Sequence, residues 1–234
     1  MGVYTFKPDK YSSHMKIIAY LKSLSKKNLK ILDVGCSKGF IAQSLQHYNF
    51  EFYGIEYNKE DAKEAKKYYK EIKILDLDRE KPNYSRNSFD IIVMADIIEH
   101  LKDSLGIVKY FTKFLKKDGI MAISTANVAN IYVRLKLLAG NFDYQERGIM
   151  DKTHLRFFTL KAFRKLAKEA KLKIIKEDFT PIPLPMVHEK FQEGKILNLL
   201  HKLNYRAMKL TPKLLSFQLI LYCRKNYSTD NFLK

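Results

Sequence analysis

The stretch DVGCSKG, Asp33 to Gly39, lies just after the apolar run Leu29, Ile31, Leu32 and governs how the remaining chain is understood. A short apolar strand that ends in an acid and runs into a turn with two glycines brings backbone close to a ligand, next to the N-terminus of the following helix. Several nucleotide-like ligands use that geometry. The residues downstream of the turn have to separate them.

Beyond Gly39, apolar runs of strand length alternate with helical periodicity. Phe50 to Ile55 reads as a second strand, Lys59 to Tyr69 as a charged helix, and Ile72, Ile74 and Leu75 as a third strand ending near Asp76. Phe89 to Ala95, a helix around Leu101 to Leu115 and the strand Ile120 to Thr125 continue the pattern. Upstream, Ile17, Ile18, Leu21 and Leu24 recur at helical spacing, and Phe40 to Tyr48 reads as the helix after the turn. Asn127 to Asp151 interrupts the alternation with a helix through Ile131 to Leu138 and a glycine-marked loop. Thr159 caps a helix over Leu160 to Ala170, and the strand Leu172 to Asp178 comes next. Pro181, Pro183 and Pro185 bar a central strand after it, Phe191 to Leu210 is an amphipathic helix, and Leu215 to Cys223 is a last strand. The class is α/β with a largely parallel sheet.

Four acids close the strands of the first half: Asp33, Glu56, Asp76 and, just past the fourth, Asp96. In an open parallel sheet the carboxyl edge is the ligand face, and an acid about 20 residues after the turn can meet ribose hydroxyls. The turn lacks GxxxxGK[ST], since Lys38 precedes Gly39, and it lacks GxGxxG. Four carboxylates repel a pyrophosphate. They suit an adenosine ribose and a cationic sulfonium.

In this order the segments resemble the class I S-adenosylmethionine-dependent methyltransferases. LDVGCSKG is similar to their first cofactor motif, GIEYN to the ribose-binding strand end, LDLD to the adenine-side segment and FDIIVMADIIEHLKD to the fourth-strand motif. Ser37 and Lys38 depart from the common glycine-rich loop. The resemblance implies a Rossmann-like seven-stranded sheet whose last strand is antiparallel, with helical cap insertions. It further implies S-adenosyl-L-methionine as cofactor, held by Asp33, Gly35, Cys36, Gly39, Glu56, Asp76, Leu77 and Asp96. Residues 1–28 are then an N-terminal helical cap segment. Residues 29–234 are the methyltransferase domain, with an acceptor-side insert at 127–159 and an amphipathic insert at 186–214.

Methyl transfer to an alcohol needs a base, whereas an amine or acidic phenol needs less help. His100 at the fourth-strand edge and His154 in DKTHLRFFT are the two candidates. If that segment is extended, His154 and Arg156 share one face while the Phe157-Phe158 pair anchors a lid, and Arg156 either holds an anionic acceptor or pairs with Asp151. Asn127, Tyr132 and Tyr144 join Arg156 as acceptor-side candidates. The region 127–159 and the closing LTPKLLSFQLILYC resemble a branch linked to glycan, lipid or quinone biosynthesis, which implies O-methylation of a small or lipid-linked cell-envelope acceptor such as a sugar. An RNA methyltransferase and a noncatalytic S-adenosylmethionine-binding protein remain the alternatives. Against RNA, the chain has no RNP-like aromatic motif and no NPPF-like acceptor motif.

With 43 Lys and Arg against 25 Asp and Glu, the formal net charge is +18 over 234 residues, which draws in phosphate, anionic lipid or RNA or simply meets solvent. Two cysteines, Cys36 and Cys223, make neither a disulfide framework nor a metal cluster, so no metal is expected. No leader-like segment or spanning apolar run is evident, and the expectation is a cytoplasmic chain, peripheral at most to the inner face of a membrane. In the last helix Ile196, Leu199, Leu200, Leu203, Ala207 and Leu210 share one sector, and Lys195, Lys202, Arg206 and Lys209 fall beside it. That apolar sector packs on the sheet or a second subunit in a homodimer, or it docks on an anionic membrane.

Overall fold

The structure, a computed structural model, describes residues 9–25, 28–184 and 195–226, with the backbone alone for 195 and 196. The elements run α1 (Ser13–Ser23), β1 (Leu29–Val34), α2 (Phe40–Ser44), β2 (Phe50–Glu56), α3 (Lys59–Ala65), β3 (Glu71–Ile74), β4 (Phe89–Ala95), α4 (Ser104–Thr112), β5 (Leu115–Ala126), α5 (Ile131–Leu138), α6 (Leu160–Glu169), β6 (Leu172–Thr180), α7 (Lys195–Leu210), α8 (Pro212–Leu215) and β7 (Gln218–Lys225). One seven-stranded sheet has the order β3-β2-β1-β4-β5-β7-β6. β1 through β5 pair in parallel, and β7 lies antiparallel between β5 and β6. This is the Rossmann-like methyltransferase sheet with its antiparallel closing strand.

Strand alternation splits the core in two. On one face Leu32, Val34, Ile92, Met94 and Met121 pack with Phe111 of α4 and Phe163 of α6. On the other, Ile31, Phe52, Ile91 and Val93 pack with Ile17, Ile18 and Leu21 of α1 and Ile41 of α2. α1 is therefore part of the main core, and its first residues reach the sheet's carboxyl edge. The order of strands reverses between β1 and β4, and a crevice opens there beyond the strand ends.

Element ends depart from the sequence reading where local hydrogen bonds compete with the regular ladder. α2 stops at Ser44 and α3 at Ala65, the latter succeeded by a tighter turn over Lys66–Tyr68. β3 ends at Ile74, short of Asp76, because the Asp76 carbonyl accepts from Arg79 and Glu80 N–H and turns the chain. β5 starts at Leu115 and runs through Asp118-Gly119, absorbing the irregularity as a register shift opposite Phe89 to Ile91. α4 is correspondingly shorter. Pro212 sits at the start of α8, a single helical turn that delays β7 to Gln218. The helix from Phe191 is described from Lys195 onward; residues 185–194 lie outside the described residues, as do 1–8, 26–27 and 227–234. The described leucines of the apolar α7 sector, Leu199, Leu200, Leu203 and Leu210, are exposed, so that sector does not pack on the sheet. No described helix is long and apolar enough to cross a membrane.

Candidate active site

A cavity of about 1090 Å³ occupies the crevice. Its walls come from the ends of β1, β2 and β4, the start of α1, and the segments before and after α5. The volume matches or slightly exceeds the usual range for small-molecule sites, so it accommodates a cofactor and an acceptor side by side.

The turn after β1 is shaped by sterics. Gly35 has φ +75°, and a Cβ there would collide with the Ile97 side chain. Its N–H and that of Cys36 both bond to the Ile55 carbonyl, tying the turn to β2. Gly39, at φ +80°, is the N-cap of α2, and a Cβ there would meet Tyr69 and Ala65 at 2.9 and 3.1 Å. It packs helices together and stands outside the cavity wall, which Gly35 and Cys36 line.

Glu56 is the organising acid of this wall. Its carboxylate accepts the backbone N–H of Ser37 at 2.8 Å, Tyr57 at 2.9 Å and Asn58 at 2.8 Å. A carboxylate has about four lone-pair sites, so one remains for a ligand. The bond from Ser37, a residue with φ +45°, shows how a turn without the common glycine keeps its shape. Asp33 is buried and accepts from the Tyr69 hydroxyl at 2.7 Å. Burial pushes its pKa up to about 7; the Tyr69 bond opposes this and the Glu56 charge adds to it. Cys36 is buried, and burial reinforced by the Asp33 and Glu56 charges holds its thiol far above the usual range, which removes it as a nucleophile.

Asp96 takes a left-handed backbone, φ +52°, just beyond β4. Its carboxylate accepts from Ser13 at 2.8 Å, from Ser124 at 2.6 Å and from the Gln218 amide. It therefore clamps α1, β5 and β7 together at the cavity edge. Beside it Glu99 is fully buried; its Oε1 accepts from Ala126 N–H at 3.2 Å, and its Oε2 lies by the Thr125 hydroxyl without a well-formed hydrogen bond. Burial, then the Asp96 charge, raises its pKa.

His154 and His100 meet edge to face, ring centroids 4.8 Å apart. His154 Nδ1 lies 3.0 Å from the Ile149 carbonyl; a carbonyl only accepts, so Nδ1 carries the proton and Nε2 keeps a lone pair. Burial, then the neighbouring His100, lowers the His154 pKa, so the ring is neutral at pH 7. His100 Nδ1 contacts the Thr153 carbonyl at 3.2 Å and hydroxyl at 3.1 Å, and that hydroxyl donates to Asp151 at 2.6 Å. Both histidines line the same cavity as Asp33 and Glu56.

The acceptor-side candidates separate. Tyr132 lines the cavity and its hydroxyl accepts from Gln145 at 3.1 Å. Tyr144 is exposed against Phe142 and outside the wall. Asn127 is buried as scaffold: its amide donates to the Ser216 carbonyl and hydroxyl, both at 3.0 Å, and its Oδ1 accepts from Ala129 N–H. Arg156 donates twice to the Lys102 carbonyl, at 3.1 and 2.6 Å, and so fastens the loop; it neither pairs with Asp151 nor shares a face with His154. The reason is that the successive N–H groups of Leu155 and Arg156 both donate to the Glu99 carbonyl, at 2.8 and 3.0 Å, which extended alternation does not allow. Phe158 enters the core, while Phe157 is half-buried against Phe142 and His154. Asp76 and Leu77 also fall outside the wall; Asp76 is engaged with Asp78 N–H and Arg79.

Sequence reasoning missed Glu99, although it adjoins His100, and missed Ser13, which clamps Asp96, together with His14, Asn58, Asp61 and Gln218, which line the cavity from separate elements. Asn58 at the end of GIEYN and Glu99 beside His100 left a trace in the sequence.

Chemically, the wall fits S-adenosylmethionine. Asp33, Glu56, Asp61, Asp96 and Glu99 supply acids toward a ligand with a cationic sulfonium and ammonium and a ribose diol, and the apolar Ile97 and Phe217 complete the lining. Among the described residues no His, Cys, Asp and Glu group suits a metal ion. A methyltransferase-domain family model matches residues 11–177. Over 104 residues the chain is 34% identical to a ubiquinone biosynthesis O-methyltransferase of Pelagibacter ubique, covering 43% of each chain. Over 115 residues it is 31% identical to the enzyme of that name from Rickettsia canadensis, covering 48% of each. The chain thus matches less than half the length of these relatives. Its fold resembles a SAM-dependent methyltransferase from Archaeoglobus fulgidus, TM-score 0.61 and 15% identity over 93% of this chain and 97% of that one. A putative methyltransferase from Bacillus halodurans matches with TM-score 0.61 and 15% identity over 90% and 99%. Strand order, strand-edge acids and the family match agree: the chain belongs to the class I S-adenosylmethionine-dependent methyltransferases.

Proposed function

We propose that the chain methylates an oxygen of a small or lipid-linked acceptor, such as a sugar or phenol, seated between the strand edge and residues 127–159. The observation that carries this is His154: a buried, neutral imidazole with its proton fixed on Nδ1 and its Nε2 lone pair available in the cavity that holds Asp33 and Glu56. Such a group is what an alcohol acceptor requires and an amine does not. The relatives named for O-methylation in ubiquinone biosynthesis support the choice of oxygen.

Glu56, whose remaining lone-pair site can accept a hydroxyl, would hold the cofactor's ribose, and Asp33 and Gly35 its amino-acid end. Bound there, the cofactor supplies an electrophilic methyl group on a sulfonium. Cys36 and Ile97 line the same wall and would exclude water from it. His154 takes the acceptor's proton at Nε2, and His100, held by Thr153 and through it Asp151, orients the His154 ring. Tyr132 and Gln145 face the acceptor.

The test is incubation with a methyl-labelled donor and a panel of phenols, lipid-linked glycans and RNA. Label in a base-stable O-methyl group of a small or lipid-linked acceptor is expected. Label only in RNA, or in nitrogen, overturns the reading.

A further inference from the structure

α7 is mounted with its polar side inward. His201, Asn204, Tyr205 and Met208, spaced for one helical face, bind it to the body of the protein. His201 Nε2 contacts Asp9 at 2.9 Å, Tyr205 stacks on Tyr11 at 4.2 Å, and Asn204 donates to the Ile182 carbonyl at 2.8 Å. The leucines face outward: Leu199 is 57% exposed, Leu200 50%, Leu203 48% and Leu210 84%. Leucines held together in water forgo the gain of burial, and an apolar patch of this kind marks an interaction surface.

Charge identifies the cover. Lys202, Arg206, Lys209 and Lys213 are exposed on or just after the same helix, and no Asp or Glu occurs between Lys195 and Asn226. A second copy pairing through this face by two-fold symmetry would set these cations against their own images, without an acid to answer them. An anionic lipid surface answers all of them and accepts the leucines at its acyl boundary.

The location agrees. Ile182, which α7 holds through Asn204, lines the cavity. At the other end, the Ser216 carbonyl beyond α8 accepts from Asn127 and Asn130, which set the start of α5. α5 itself exposes Leu135, Leu137 and Leu138 beside Arg134, and its Tyr132 lines the cavity. Two leucine-bearing basic helices are therefore tied to segments that line one cavity.

We propose that the outward leucine face of α7, with its flanking Lys202, Arg206 and Lys209, docks the protein on an anionic membrane surface. The docking goes beyond the methyl-transfer reading and stands whatever the acceptor is. Its occupant is a bilayer, and its two parts are separable: cations draw the protein in, leucines retain it.

The full chain is sedimented with vesicles of phosphatidylcholine alone and of phosphatidylcholine with phosphatidylglycerol, at low and high salt. The expected result is binding to the anionic vesicles only, weakened at high salt. The combined Leu199→Gln, Leu200→Gln, Leu203→Gln variant should lose at least tenfold in vesicle binding. These positions are exposed, and thermal melting by circular dichroism verifies that the variant is folded. The Lys202→Gln, Arg206→Gln, Lys209→Gln variant should lose the salt dependence along with affinity. The proposal is overturned if folded wild-type protein ignores anionic vesicles at low salt, or if the leucine variant binds as wild type does. It is also overturned if sedimentation equilibrium shows a dimer that the leucine variant dissociates. Methyl-transfer assays on the same preparations read the acceptor assignment separately, so either reading can fail alone.

Discussion

The strand-edge wall of the cavity and the wall formed by residues 127–159 use hydrogen bonds and apolar surface in opposite ways. At the strand edge, Glu56 is gripped by three backbone N–H groups and Asp33 by Tyr69, with both layers of the main core behind them. In the second, Val133, Ile149 and Met150 form a small separate core behind Tyr132, which lines the cavity, while Leu135, Leu138, Phe142 and Tyr144 of the same segment stay exposed outside the lining. A preorganised acid wall suits a ligand that is the same at every turnover. A segment with so small a core of its own can adapt to the molecule that defines a particular enzyme. On the proposed function, one half of the site serves the cofactor shared by the family and the other the individual acceptor.

The seam between the two walls is where this contrast is most exposed to experiment. His154→Gln should lower turnover by about 10²- to 10⁴-fold, the usual worth of a general base, while calorimetry finds cofactor affinity unchanged. The wild-type rate should hold at neutral pH and fall on acidification below about 6.5, because a lowered His154 pKa keeps the base form present to lower pH than in a free histidine. A pH-rate midpoint above that value sinks the assignment.

Glu56→Gln tests the strand-edge wall. It replaces one carboxylate oxygen by an amide that repels the N–H donors, and charged hydrogen bonds are worth about 1.5–3 kcal/mol, so cofactor affinity should fall about 10- to 100-fold. An unchanged affinity would mean that Glu56 only shapes the loops.

Asp33 gives a pH-dependent effect. Its folded pKa, about 7, lies above the 3.8 of the free group, so the folded state binds a proton more readily than the unfolded state between those values. Stability from this group is therefore full below about pH 4 and lost as pH rises toward 7. A cationic ligand prefers the ionised form, so cofactor affinity should rise with pH by up to about tenfold per unit and level off above 7. Asp33→Asn should flatten both slopes, read by chemical denaturation and calorimetry across pH 5 to 8. The smallest effect belongs to the segment behind the second wall: Leu135→Gln, on the exposed side of α5, should move stability by no more than about 0.5 kcal/mol and leave cofactor affinity alone. A cofactor defect there would erase the distinction between the walls.

The order of apolar runs and strand-end acids was enough to identify the sheet and its ligand edge, because parallel strands bury both faces and leave only their ends for chemistry. The antiparallel place of Gln218–Lys225 came from the family resemblance. Element ends were less legible: the Asp76 carbonyl, Pro212 and the β5 irregularity act through contacts of a few residues that periodicity averages away.

Side-chain roles divided along the same line. Spacing along the chain brought Asp33, Gly35, Cys36, Glu56 and Asp96 to one edge, since each stands at or just past a strand end and needs no distant partner to get there. It took the folded chain to establish that Asn127 is scaffold, that Arg156 grips Lys102, that Glu99 is buried among acids, and that His154 keeps Nε2 available. The 3.6-residue period revealed two faces of α7 but not which one turns inward. That choice fell to His201, Asn204 and Tyr205, whose partners Asp9, Ile182 and Tyr11 are remote in sequence and meet them only after folding.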